Sequence, residues 1–115
     1  MKAKGRKDEG RLGGDQLERV AHLFKAFAEP TRLAILQELK GGSRTVGEVV
    51  TAIGTSQANV SKQLRILREA GVVKHEKQGT SVLCSIADPV VFELCELVCD
   101  KINRDLARDT APLRF

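Results

Sequence analysis

Tryptophan and tyrosine are absent from this chain of 115 residues, and phenylalanine occurs only four times. A core built around large aromatics is therefore excluded, and Leu, Val, Ile and Ala must supply it. No apolar run approaches the length of about 20 residues that a membrane-spanning helix requires. The opening MKAKGRKDEGR has no apolar segment of the kind found in a secretion signal, so a cytoplasmic protein without a membrane association is expected. Cysteine is scarce and unevenly placed: Cys84, Cys95 and Cys99 are the whole complement. An odd number of thiols confined to one stretch excludes the spread-out disulfide framework of small secreted proteins, and points to reduced side chains. At this length the chain holds one core and one domain.

Charge is present and asymmetric. Residues 1–14 carry five basic and two acidic side chains, residues 15–55 five of each, and residues 56–80 five basic and two acidic. Residues 81–115 reverse the sign, with six acids and four bases. The positive charge is thus held in an N-terminal arm and a central segment, a footprint suited to a polyanion.

Apolar periodicity starts at residue 15. The arm before it, 1–14, is Gly-, Lys- and Arg-rich without periodicity and is expected to be disordered. Leu17, Val20, Ala21, Phe24, Phe27 and Ala28 recur at helical spacing behind Asp15 as N-cap. Pro30 suits the first position of a second helix with Leu33, Leu36 and Leu39, which ends at Gly41-Gly42. Thr45-Val46-Gly47-Glu48 is a capping box that opens a short helix closed by Gly54. Ser56 caps a longer helix whose buried stripe is Val60, Leu64 and Leu67. Two apolar-rich stretches follow, Val72-Val73 and Ser81 to Ile86, and Gln78-Gly79 between them marks a hairpin turn. Asp88-Pro89 starts a last helix, expected to run to about Asp105 and to leave 106–115 as a frayed tail. The fold class is mainly α with a small β-hairpin: a winged helix-turn-helix over residues 15–105.

Two helices joined by a Gly-containing turn, the second basic on its free face, match a helix-turn-helix. At 100° per residue, Ala58, Ser61, Lys62 and Arg65 lie opposite the Val60–Leu64–Leu67 stripe, and Gln57 and Asn59 lie at the N-terminal end. Gln and Asn pair with adenine edges, Lys and Arg reach guanine or phosphate, and Ala58 leaves room for a thymine methyl. The hairpin brings Lys74, His75, Lys77 and Gln78 beside the groove as a basic wing. The competing reading, a solvated basic helix and loop, leaves the conjunction of the two unexplained.

The stretches FKAFAEPTRLAILQEL, TSQANVSKQLRILREAGVV and KQGTSVLCSIADP resemble the ArsR/SmtB family of winged-helix metalloregulatory repressors, and the likeness runs from about Leu17 to Ile102. The resemblance implies a homodimer through the first and last helices, a palindromic double-stranded DNA operator, and release of DNA when an inducer binds. By similarity Ser61 and Lys62 meet the major groove, and Lys77-Gln78-Gly79 form the wing tip. Two ligand layouts of the family are absent here. The position of a Cys-x-Cys pair is occupied by T-V-G-E-V-V. Of an oxygen/nitrogen zinc site on the last helix only Asp88 matches, while Val90, Lys101 and Arg104 stand where histidine and glutamate are expected.

The thiols remain. On the last helix Val91, Leu94, Cys95, Val98 and Ile102 share one face, with Cys99 at its margin near Phe92. One reading makes Cys95 a small apolar residue of a dimer interface. The other uses the i, i+4 spacing, which sets the two β-carbons about 5–6 Å apart. That is wide for a disulfide but suited to a thiophilic ion with sulfur bonds of about 2.3 Å. Cys84 is a candidate third ligand, within a subunit or across the dimer. Three thiolates without histidine suit trivalent arsenic or antimony, and also cadmium, lead or mercury. A thiol-redox or persulfide trigger is the alternative. A thiol enzyme is disfavoured, since the cysteines fall on an apolar face and no nucleophile motif surrounds them.

Overall fold

The structure, a computed structural model, describes residues 10–106 and 111–115. Residues 1–9 of the expected arm and 107–110 of the expected tail lie outside the described residues. Helix α1 (Gly14–Phe27) begins one residue before Asp15, with Gly13 at the N-cap and its N–H donated to Gln16 Oε1 at 2.8 Å. Asp15 sits in the first turn, where its carboxylate faces the positive end of the helix dipole. Helix α2 (Pro30–Lys40) has Pro30 at its first position, and the Glu29 carboxylate accepts the Arg32 N–H at 2.9 Å.

The short helix α3 (Val46–Ile53) opens with the expected capping box. Thr45 Oγ1 accepts the Glu48 N–H at 3.1 Å, and Glu48 Oε1 accepts the Thr45 N–H at 2.8 Å. Gly54 closes it at φ 79°, a left-handed conformation that favours glycine. Helix α4 (Gln57–Glu69) is capped by Ser56, whose Oγ accepts the Asn59 N–H at 3.1 Å, and it buries Val60, Leu64 and Leu67 as the spacing predicts. A turn then leads into the hairpin of β2 (Val73–Gln78) and β3 (Ser81–Ile86). The connecting loop is Gly79-Thr80, one residue later than expected, because Gln78 still pairs with Ser81 and Gly79 takes φ 64°.

The sheet has a third strand that periodicity did not reveal. Strand β1 (Arg44–Thr45) runs antiparallel to β3, with Arg44 opposite Cys84 and Thr45 opposite Leu83, giving the order β1-β3-β2. A two-residue strand has no alternation to read. Helix α5 (Val90–Asp105) starts one residue after Pro89, and Asp88 Oδ1 accepts the Val90 N–H at 3.0 Å. Ile35, Leu36, Val49, Val60 and Leu67 are the most deeply buried side chains, and Val91 and Cys95 of α5 join their cluster. Full burial of each such aliphatic side chain is worth about 1.5–3 kcal/mol.

The expected frayed tail is corrected over its described part. Residues 111–115 form a strap against α5. Asn103 donates to the Leu113 carbonyl at 2.9 Å and accepts its N–H at 2.7 Å. Farther along, Phe115 donates its N–H to Glu96 Oε2 at 3.2 Å and accepts from Lys40 Nζ at 2.8 Å. Its ring lies 6.4 Å from that of Phe92. Four polar contacts and a half-buried ring hold a segment that lacks helical periodicity.

Candidate nucleic-acid interface and thiol cleft

The exposed face of α4 carries Gln57, Ala58, Ser61, Lys62 and Arg65, all open to solvent. Burial of Val60, Leu64 and Leu67 on the opposite face orients them. No acidic side chain occupies the first turn of the helix, so a phosphate at its N-terminal end meets no repulsion from there. Lys77 and Gln78 close the exposed wing tip, where β2 and β3 project beyond the core. Arg65 is not free: its Nε lies 3.1 Å from Glu69 Oε2 one turn along. Lys62 and Lys77 have no carboxylate partner among the described residues.

Asn59 also makes contacts within the fold. Its Oδ1 accepts from Gln63 Nε2 at 3.1 Å and its Nδ2 donates to Thr55 Oγ1 at 3.3 Å. Gln63 was missed by the pattern, although it stands between Val60 and Leu67 on an otherwise apolar stripe, and a polar residue in such a place requires a buried partner. That partner is Arg32, whose Nη1 donates to Gln63 Oε1 at 2.7 Å. A second unforeseen contact joins helix to wing. Arg68 Nη1 lies 2.9 Å from His75 Nδ1, and a guanidinium only donates, so the imidazole nitrogen is the acceptor. His75 belongs to the middle of β2, opposite Cys84, rather than to the wing tip.

The three thiols separate into two places. Cys84 on β3 is 2% exposed and faces a cavity of about 280 Å³ between α4 and the wing, with Ser61, Leu64, Arg68 and His75 around it. Burial pushes its thiol above the ordinary range, and the Arg68 guanidinium offsets part of that. Cys95 and Cys99 line a different, larger cavity of about 560 Å³, bounded by Phe24 and Phe27 of α1, Leu33 of α2 and Phe115 of the strap. Burial raises the Cys95 thiol as well, with further contributions from the neighbouring Cys99 and Glu96 charges. Among the described residues of one chain, no three His, Cys, Asp or Glu side chains converge to hold a metal ion. Within one chain Cys84 is therefore held apart from Cys95 and Cys99. Cys84 points toward α4, while the α5 pair points toward α1 and α2. Two sulfurs remain as a donor set. Thiolates are soft donors, matched to thiophilic ions.

Beside this cleft lies an apolar face that the described residues leave exposed. On α1, Leu17, Val20, Leu23 and Phe24 are exposed; on α5, Leu97, Val98 and Ile102 are. Leu97 is 63% and Leu17 is 55% exposed, values that a monomer's core helices do not tolerate at so many adjacent positions.

The sequence profile described as "Bacterial regulatory protein, arsR family" matches residues 29–75, the stretch from the start of α2 into β2. An uncharacterized HTH-type transcriptional regulator of Methanocaldococcus jannaschii is 40% identical over 85 residues, which span 73% of this chain and 96% of that one. The chain belongs to the arsR family. Like other members of this family of DNA-binding regulators, it carries the helix-turn-helix and wing described above. Solved structures agree in fold. The homodimeric winged helix-turn-helix DNA-binding domain of a possible ArsR-family regulator from Mycobacterium bovis superposes with a TM-score of 0.71 at 28% identity, covering 86% of this chain and 97% of that one. The antimony-specific transcriptional repressor AntR superposes with a TM-score of 0.72 at 26% identity, covering 91% and 96%. No helix among the described residues is long and apolar enough to cross a membrane.

Proposed function

We propose that this arsR-family regulator is a cytoplasmic, homodimeric repressor that leaves a palindromic operator when a thiophilic metal or metalloid ion engages Cys95 and Cys99. One observation carries the reading: two thiols a helical turn apart open into the same cavity, at the edge of the unpartnered α1–α5 face. A second copy covering Leu17, Val20, Phe24, Leu97 and Ile102 pairs the two recognition helices about a two-fold axis, which is what a palindrome demands. Ligation at the margin of that face alters how the subunits meet, and with it the spacing of the two α4 helices. The antimony specificity of AntR and the softness of the donor pair support trivalent antimony or arsenic as inducer, with cadmium, lead and mercury as further candidates. Ligation requires the thiolate, so it releases a proton, and burial makes that proton harder to remove from Cys95.

Ser61, Lys62 and Arg65 carry the major-groove and phosphate contacts in this reading, flanked by Gln57 and Ala58 and supported by Lys77 and Gln78 from the wing. Asn59 holds the helix in place. Cys84 is a packing residue beneath the wing. The decisive assay is release of a fluorescent operator by antimonite, arsenite, divalent cadmium, lead or mercury, and an oxidant, for wild type and each Cys→Ser variant. Release that is lost in Cys95→Ser and Cys99→Ser and kept in Cys84→Ser is the expected result. Undiminished release in both α5 variants refutes the ligand assignment, and release by the oxidant alone replaces the ion with a redox trigger.

A further inference from the structure

Beyond the ligand pair, the structure contains a polar chain that runs from the cleft to the DNA-reading helix. We infer that Arg32, Gln63 and Asn59 are positioning residues that pass occupancy of the thiol cleft to α4. The inference rests on the proposed function for the identity of the signal, and on geometry for the route.

The route begins in the last turn of α1. Phe24, Phe27 and Ala28 form part of the cavity wall that holds Cys95 and Cys99. The carbonyls of Lys25 and Ala26, in the same turn, receive the Arg32 fork: Nη2 donates to Lys25 at 3.0 Å and Nε to Ala26 at 2.6 Å. The third arm of the guanidinium, Nη1, reaches Gln63 in α4. Gln63 passes on to Asn59, and Asn59 to Thr55 at the turn before the recognition helix. Four elements are joined end to end, and each link is a directional hydrogen bond between 2.6 and 3.3 Å.

Burial gives the chain its stiffness. Gln63 is 7% exposed and is the one buried polar side chain among the described residues. In that setting a misaligned hydrogen bond cannot be exchanged for water, so Gln63 follows Arg32 or bears the full desolvation cost. Arg32 in turn has a planar fork, so a shift of the α1 carbonyls reorients the arm that holds Gln63. A guest in the cleft presses on the α1 turn from one side and moves the carbonyls on the other. The helix that answers is the one whose outer face carries Ser61 and Lys62. The core stripe Val60–Leu64–Leu67 keeps α4 in place without the chain, so binding of DNA and coupling to the cleft are separable.

Gln63→Met separates them, because methionine fills the same volume and offers neither link. Arg32→Lys cuts the same contact from the other end while keeping the charge. Gln63→Glu retains an acceptor for Arg32 and, with Asn59 reversed, an acceptor for its amide, and serves as the rescue. Each variant is characterised by thermal melting, operator affinity without inducer, and the ratio of operator affinities with and without antimonite. N-ethylmaleimide on Cys99 serves as a covalent guest that does not depend on metal chemistry. Wild-type release is expected within the range of about 5–150-fold usual for allosteric coupling. Gln63→Met and Arg32→Lys are expected to fall below about 5-fold with uninduced affinity within about 3-fold of wild type, and Gln63→Glu to recover most of the ratio. Full release in a folded Gln63→Met or Arg32→Lys protein overturns the inference. If antimonite fails on wild type while the maleimide adduct releases DNA, the inducer is wrong and the route is still measured by the adduct. If neither guest releases wild type, cleft and helix are not coupled and the inference falls.

Discussion

Glu69→Gln is expected to tighten operator binding although Glu69 itself has no place in the reading face. In the free protein Glu69 holds Arg65 at 3.1 Å, with both side chains more than half exposed. An exposed i, i+4 pair is worth about 0.3–0.5 kcal/mol, and that amount is surrendered each time Arg65 turns to a phosphate. Two subunits surrender it twice, about 0.6–1 kcal/mol per dimer, which corresponds to about three- to five-fold in affinity. Glutamine removes that competition and one negative charge near the DNA. The assay is fluorescence anisotropy of a labelled operator at a series of salt concentrations, with Arg65→Ala as the opposite control. The gain must be largest at low salt and shrink as the Debye length shortens. Unchanged or weaker binding at low salt, or a gain indifferent to salt, refutes the placement of Arg65 at the phosphate backbone.

The strap and the capping box yield two further expectations. Asn103→Ala removes both hydrogen bonds to Leu113, which eases local opening of the strap by about 1–2 kcal/mol. Labelling of the half-buried Cys99 by a thiol reagent is then expected to quicken by about 5–30-fold, read by mass spectrometry, while Cys84 and Cys95 stay slow. Glu48 supplies a pH dependence: the Thr45 N–H donating to its carboxylate holds it below its ordinary value of 4.5 in the folded state. A depressed folded-state pKa contributes stability above the ordinary value, and that contribution is lost as pH falls toward and through the folded value. Thermal melts of wild type should therefore drop more steeply than those of Glu48→Gln as pH is lowered through the carboxylate range. Parallel acid limbs would show that the capping carboxylate is not coupled to folding.

Helices α2, α3 and α4 were legible because each carries both a local signal and an apolar stripe. Pro30, the Thr45–Glu48 box and Ser56 mark the starts, and Val60, Leu64 and Leu67 mark the buried side. The exposed basic face of α4 followed from the same geometry. What escaped has no periodic signature. Strand β1 is two residues long, and it forms because β3 offers Arg44 and Thr45 an edge at Cys84 and Leu83 to pair with. The strap at 111–115 depends on Asn103, Glu96 and Lys40, three side chains from two helices that meet only after folding. The inward turn of Asn59 was hidden for a related reason. Its neighbour Gln63 is meaningful only once Arg32, 31 positions earlier, has been brought against it. The division of the cysteines was half visible: the α5 spacing placed Cys95 and Cys99 together, but only the direction of β3 shows that Cys84 faces elsewhere.

Strand β1 has a consequence for how this protein can be re-engineered. It stitches the residue just before α3 to the inner strand of the wing, and Arg68 stitches α4 to His75 of the outer strand. Residues 44–86 thus form a closed cartridge whose reading helix and wing cannot be reset independently. Operator preference ought to travel with the whole cartridge when it is transplanted into a related scaffold, and to be lost when helix and wing are taken from different parents.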